Sequence, residues 1–220
     1  MSNYLFAMGK KNLIFQIHDF FIKEDPNHSN EVSLSHQFDE YWALVIDNKA
    51  PQIKSSISDI NHHHNGYFFK GWFQDHNSES IVIGSKGYHT WKNSQHATAN
   101  DLEGAYICAH WTHKSLVIEN DLFSYFPVLF FSTNNVVVAS DSMYVLSRIR
   151  RVLNLPCKLN HDVIHTRSWT HGLACAMMSN DTQIEEIKLL SPGKTVNVKI
   201  GKKLDTKIIH KPIKELFPEI

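Results

Sequence analysis

Cysteine is scarce in this chain. Among 220 residues only Cys108, Cys157 and Cys175 occur, and no two share a C-x-x-C spacing. An odd count without paired spacing argues against a disulfide framework and against a structural zinc knuckle, so packing must supply the stability. An excess of either charge is also missing, because 22 Lys and Arg stand against 22 Asp and Glu. Without a whole-chain field, neither nucleic acid nor an anionic membrane is an expected partner. No apolar run approaches the roughly 20 residues that a bilayer span needs. The start MSNYLFAMGKKNLIF lacks the positive, apolar, small order of a secretory signal, so a soluble cytoplasmic protein is expected. There is no GxxxxGK[ST] loop and no GxGxxG run, hence nothing to hold ATP, and no cofactor is expected. Internal repeats, flexible linkers and low-complexity tracts are absent apart from His62-His63-His64.

What is present is enough apolar material, 42% of the residues, to bury a sizeable core as one large domain or two small ones. Turn signals recur every eight to twelve residues or so between short β-rich runs, which reads as a sheet-dominated domain. Expected strands are Tyr4–Ala7, Asn12–Ile17, Tyr41–Ile46, Gly66–Phe73, Ser80–Ile83, Ala105–Trp111, Ser115–Glu119, Val128–Phe131, Val136–Ala139 and Thr195–Ile200. The runs at 128–131 and 136–139 are apolar at consecutive positions, which predicts strands covered on both faces in a layered architecture. Asn134-Asn135 between them suggests a tight hairpin turn, since Asn tolerates left-handed backbone.

Two helices are expected. One spans about 141–153, capped by Ser140 or Asp141, with Met143, Leu146, Ile149 and Leu153 on its apolar stripe and Arg148, Arg150 and Arg151 off it. The other begins near Asn160 and stops before Gly172.

Fifteen histidines raise the question of metal. His161-Asp162-Val163-Ile164-His165 has the i, i+4 spacing of H-E-x-x-H peptidases, but Asp162 replaces the Glu and no partner motif follows. It reads as an exposed helical face, and no metal site is expected. His110 and His113, at i, i+3 on a strand, point to opposite faces. Cys108 reads as a small core residue, and the aromatics Tyr67, Phe68, Phe69, Trp72 and Phe73 as core and interface.

Two blocks carry a family pattern. The first is Leu102-Glu103-Gly104-Ala105-Tyr106, then Glu119-Asn120-Asp121-Leu122-Phe123-Ser124-Tyr125-Phe126-Pro127-Val128-Leu129, then Val138-Ala139-Ser140-Asp141 and the amphipathic helix. The second is Thr182-Gln183-Ile184-Glu185-Glu186-Ile187-Lys188-Leu189-Leu190-Ser191-Pro192-Gly193-Lys194. In order and spacing they resemble the amino-terminal domain of asparagine-synthase-like proteins. The resemblance implies a class II glutamine amidotransferase fold: α+β, a four-layer αββα sandwich of two antiparallel sheets, as in hydrolases with an amino-terminal nucleophile. It would occupy residues 1–205, with 206–220 as an extension leading toward a synthetase domain.

The same resemblance exposes departures. The family attacks glutamine with an amino-terminal Cys, whereas position 2 here is Ser2, a weaker nucleophile that needs an efficient base. No Arg precedes Arg148, so the substrate-carboxylate Arg is missing from its region. Lys70-Gly71 resembles the family's Asn-Gly element with Lys for Asn. Gly84-Ser85-Lys86 resembles its substrate turn with Lys86 for Asp, a cation that would repel the glutamine ammonium. No helix is evident in Gly87–Asn100. Ser124 stands where the family has Gly, suggesting another turn geometry, and Asp121 reads as a turn residue rather than a catalytic carboxylate.

The expected function is therefore an asparagine-synthase-related domain without glutaminase activity, similar to the β-lactam synthetase type. It would serve as a structural or docking partner of an ATP-dependent, amide-forming synthetase (ATP-pyrophosphatase) domain. Two rival readings stand beside it: an amidohydrolase using Ser2 on another amide after removal of Met1, and a His-rich metal-binding protein.

Overall fold

Every side chain of strand β1 (Tyr4–Lys10) except the last is buried, because the strand runs through the middle of a sheet with a covered layer on each side. The structure is a computed structural model and describes residues 4–24, 30–48, 66–75, 79–94, 102–121, 123–166 and 180–210. Antiparallel partners flank β1: β3 (Tyr41–Asn48), with Tyr4 opposite Asp47, and β9 (Val136–Ser140), with Leu5 opposite Ser140. Outside these lie β2 (Asn30–Phe38), β8 (Leu129–Ser132) and β10 (Lys188–Leu189), so the first sheet reads β10-β8-β9-β1-β3-β2. The second sheet reads β12-β11-β7-β6-β4-β5, formed by β4 (Gly66–Asp75), β5 (Ser80–Ile83), β6 (Leu102–Trp111), β7 (Ser115–Asn120), β11 (Lys194–Lys199) and β12 (Asp205–His210).

Strand alternation sorts the apolar residues into three layers. Tyr4, Phe6 and Met8 of β1 meet Phe68, Ile107, Ala109, Trp111 and Ile118 between the sheets. Leu5 and Ala7 face the other way, toward helices α1 (Lys11–Glu24) and α3 (Met143–Val152). On the far side of the second sheet, Tyr67, Phe69, Phe73, Tyr106 and Cys108 lie under helix α2 (Gly84–Lys92) through Tyr88 and Trp91. Helices therefore flank two stacked sheets, as the resemblance implied. Each fully buried Phe contributes about 1.5–3 kcal/mol relative to exposure. The consecutive apolar runs are doubly covered as expected: Val137 and Ala139 face the inter-sheet core, Val136 and Val138 the helices. No helix among the described residues is long and apolar enough to cross a membrane.

Several local expectations are corrected. Asn12–Ile17 is helical, not extended, and belongs to α1. Its short alternating pattern concealed the wider stripe of Ile14, Ile17 and Phe21, at i, i+3 and i+7, which packs on the first sheet. A helix also stands at 84–92, overlapping Gly87–Asn100, where none was evident. Its sequence GSKGYHTWK carries two glycines and poor helix formers, so tertiary packing of Tyr88 and Trp91 on Phe69 and Phe73 overrides weak propensity. The Asn134-Asn135 turn exists without left-handed backbone at either Asn. The Thr133 hydroxyl holds it instead, accepting from the amides of Asn135 and Val136. The cap of α3 is Ser142, whose Oγ accepts from the Val145 amide at 3.3 Å. Arg150, expected off the apolar stripe, is buried with its guanidinium 4.9 Å from the Phe131 ring centroid. Burial lowers its pKa. Residues 205–210 form β12, hydrogen-bonded along β11, and leave the domain boundary expected at 205 untested.

Helix α3 ends in a left-handed residue, Asn154 (φ 53°), whose amide donates to the Arg151 carbonyl while that of Leu155 donates to Arg150. This is a Schellman closure made without glycine. Replacing Asn154 by Gly should raise the unfolding free energy by about 0.5 kcal/mol, and Asn154→Val should lower it by about 1–2 kcal/mol. Urea denaturation of the two variants checks the opposite signs.

Candidate functional site

The alternation that fills the inter-sheet core with apolar side chains carries polar ones at the end where β1 begins. On β3, the inward positions Tyr41, Ala43 and Val45 are followed by Asp47. On β7, Leu116 and Ile118 are followed by Asn120, and on β4 Phe68 is followed by Lys70. Register aligns them: Asp47 lies beside Tyr4, while Lys70 pairs with Ile107 and Ile107 with Asn120. A polar layer thus closes one end of an apolar sandwich.

Its central contact is an ion pair between the sheets, Lys70 Nζ to Asp47 Oδ1. The Asp47 side chain is only 2% exposed and that of Lys70 17%, so both charges are largely removed from water. A pair in that setting resists losing one partner, because the remaining charge is stranded. Tyr4 donates its hydroxyl to the Pro127 carbonyl at 2.9 Å. Burial, with Asp141 nearby, raises its pKa well above the ordinary phenol value, so Tyr4 serves as a neutral donor and not as a phenolate base. Asn120 donates Nδ2 to Ser124 Oγ at 2.7 Å, while its enclosed Oδ1 has no hydrogen-bond partner among the described residues.

Asp121 is buried, and its carboxylate accepts from the backbone amides of Phe123, Tyr125 and Phe126 at 2.9–3.1 Å. With its lone pairs committed to the loop, it is a turn residue, as its position in the sequence suggested. The different turn geometry expected at Ser124 is not found. Ser124 adopts the left-handed backbone itself (φ 55°), and its hydroxyl binds Asn120 in doing so.

The other sequence-predicted residues disperse. Ser2, His62-His63-His64 and Cys175 lie outside the described residues. His161 and His165 sit on helix α4 (His161–Thr166), exposed, with ring centroids 6.5 Å apart. Asn160 caps that helix by accepting from the Val163 amide. Gly84, Ser85 and Lys86 open α2, Ser85 buried and Lys86 exposed. The aromatic run of β4 divides: Phe68 enters the inter-sheet core, Tyr67, Phe69 and Phe73 lie under α2, and Trp72 is exposed.

One grouping escaped the sequence reading. His110 shares a face with Cys108, two residues away on β6, and Glu119 of β7 lies opposite Cys108. The ligand atoms of Cys108, His110 and Glu119 all lie within 4.8 Å of one another, the one set of at least three metal-ligating side chains found among the described residues. The signal was the i, i+2 pair Cys-x-His on a strand; the third member came from a register that sequence does not supply. A shallow groove of about 390 Å³, lined in part by Ser132, Asn134, Lys188 and Thr206, lies at the opposite end of the sandwich from Tyr4.

The layered arrangement is the four-layer sandwich of the amino-terminal-nucleophile hydrolase fold. Among solved structures it is similar to the glutamine phosphoribosylpyrophosphate (PRPP) amidotransferase from B. subtilis complexed with ADP and GMP, with a TM-score of 0.51 and 10% identity over 93% of this chain. A second structure, described as the allosteric regulatory enzyme of purine biosynthesis, matches with the same figures. The chain spans about half the length of these proteins, 48% of each. No protein-family model matches the sequence, and no curated protein matches it.

Two substitutions test the polar end. Lys70→Met leaves Asp47 without its cation and should cost about 3–5 kcal/mol, most of it recovered in the double variant Lys70→Met/Asp47→Leu. Comparable losses in the single and double variants, measured by urea denaturation, would contradict the buried pair. Gly71, next in β4, has φ 117°, and a Cβ there would meet the Ala105 carbonyl oxygen at 2.2 Å. Gly71→Ala should therefore cost about 3 kcal/mol, read from the same denaturation curve.

Proposed function

We propose that this chain is an asparagine-synthase-related, glutamine-amidotransferase-like domain without glutaminase activity, serving as a structural or docking partner of an ATP-dependent, amide-forming synthetase domain. The observation that carries this reading is the Lys70–Asp47 pair across the inter-sheet mouth beside Tyr4. A glutaminase has to hold the substrate's α-carboxylate with a cation and its α-ammonium with an anion. Here the cation and the anion of the polar layer neutralise one another across the two sheets, and neither is left to grip a zwitterion. No Arg precedes Arg148 to replace Lys70 in that task. Position 2 is Ser2, and a hydroxyl needs a base and an oxyanion hole to do what a thiolate does more readily. Lys86, exposed on α2, is of the wrong sign to hold an ammonium group.

The docking role extends from the fold rather than from a site. The two solved relatives are about twice as long as the stretch that matches, so this arrangement of sheets occurs there as part of a larger chain. A domain whose polar mouth is closed by its own ion pair keeps its surfaces for binding neighbours.

Incubation of the purified chain with L-glutamine should release no ammonia above the protein-free blank, measured with a glutamate dehydrogenase coupled assay. Release that disappears in Ser2→Ala would overturn the reading and favour an amino-terminal serine hydrolase.

A further inference from the structure

We propose that Cys108, His110 and Glu119 form a binding site for one zinc-class divalent cation on the helix-covered face of the second sheet. This goes beyond the functional reading above and does not depend on it, because the three side chains project away from the inter-sheet mouth. Cys108 packs with Tyr67, Phe69, Phe73, Tyr88 and Tyr106 under α2, whereas its strand neighbours Ile107 and Ala109 face the other sheet.

The backbone builds the constellation. Two positions apart on β6, Cys108 and His110 share a face, and the antiparallel register sets Glu119 directly across from Cys108. Their ligand atoms lie within 4.8 Å of one another. A tetrahedral ion with bonds of about 2.0–2.3 Å holds its ligand atoms about 3.4–3.6 Å apart, so closure requires only rotamer adjustments. His110 and Glu119 are half-buried and can make them; Cys108, 2% exposed, is the anchored member.

The donor set selects the cation. A thiolate and an imidazole suit zinc rather than calcium or magnesium, which take oxygen ligands. The Cys108 thiolate and Glu119 carboxylate together cancel the charge of a divalent ion, which allows it to sit against the apolar layer under α2. On binding, the thiol proton passes to solvent. The Cys108 thiol now donates to the Tyr88 hydroxyl at 3.4 Å. Once Cys108 is a thiolate that hydrogen bond reverses, with the phenol donating to sulfur as an outer partner of the ligand. Three protein ligands leave a fourth position for water or a small ligand.

The test uses the full chain purified without a histidine tag and stripped with a chelator. Titration with zinc against a competing chromophoric chelator should show one equivalent bound, and cobalt(II) should produce a sulfur-to-metal charge-transfer band in the near ultraviolet. Cys108→Ser should abolish that band. His110→Gln and Glu119→Gln should each weaken zinc binding more than about tenfold with unchanged far-ultraviolet circular dichroism. The latter two variants keep the proposal falsifiable if Cys108→Ser fails to fold. Substituting His62, His63 and His64 together, or His161 and His165 together, should change neither the stoichiometry nor the band. The proposal is overturned if no stoichiometric binding occurs, if the band survives in Cys108→Ser, or if binding follows the other histidines. None of these readouts involves glutamine or ammonia, so this proposal and the functional reading fail separately.

Discussion

The structure depends on a central strand with no exposed face. β1 is hydrogen-bonded on both edges, to β3 and β9, and covered on both sides, by the second sheet and by α1 and α3. Because successive side chains point to opposite faces, a shift of one residue would exchange the inter-sheet set Tyr4, Phe6 and Met8 with the helix-facing set Leu5 and Ala7. The two layers differ in depth and partners, so the register is strongly specified. Once it is set, Asp47 must lie beside Tyr4, and Lys70 on the facing sheet can reach it. The polar end of the sandwich is therefore a consequence of the packing that fills its middle.

Strands buried on both faces were legible from composition, since Val136–Ala139 and Val128–Phe131 could be stable only between two apolar layers. The stripe of α3 was legible for the same reason: Leu146 and Ile149 recur at helical spacing among polar residues. Elements whose formation rests on contacts distant in sequence were less legible. α1 carried enough local alternation at 12–17 to mimic a strand, and α2 carried poor formers, yet both are held by apolar side chains docking onto a sheet. The edge strands β2 and β12 were not expected: β2 is half-buried and offers only Val32 and Leu34 to the helix-facing core, and β12 is largely exposed. The resemblance in 102–153 and 182–198 anticipated the layered fold even where these local readings failed.

Chemistry was less legible than architecture. Asp47 and Asn120 each continue an inward alternation by one step, a signal visible in principle, but their meeting with Tyr4 and Lys70 needs two sheets in a definite stacking. Ser124 shows the converse: a non-glycine residue retains the left-handed turn because Asn120 bonds its hydroxyl, a compensation invisible from residue type. Cys108 and His110 looked like a core residue and one of many histidines until strand pairing placed Glu119 opposite.

Taken by itself, the amino-acid order determined that the protein would be sheet-rich, balanced in charge and built on strands buried from both sides. Those properties follow from the composition and from the spacing of apolar residues along the chain, which any fold of this sequence has to satisfy. Tertiary structure alone decided which polar side chains meet. Strand register and sheet stacking bring residues 23 apart, as Asp47 and Lys70, or 11 apart, as Cys108 and Glu119, into contact. The free energy of those encounters is set by the burial around them, a quantity that the linear sequence does not contain.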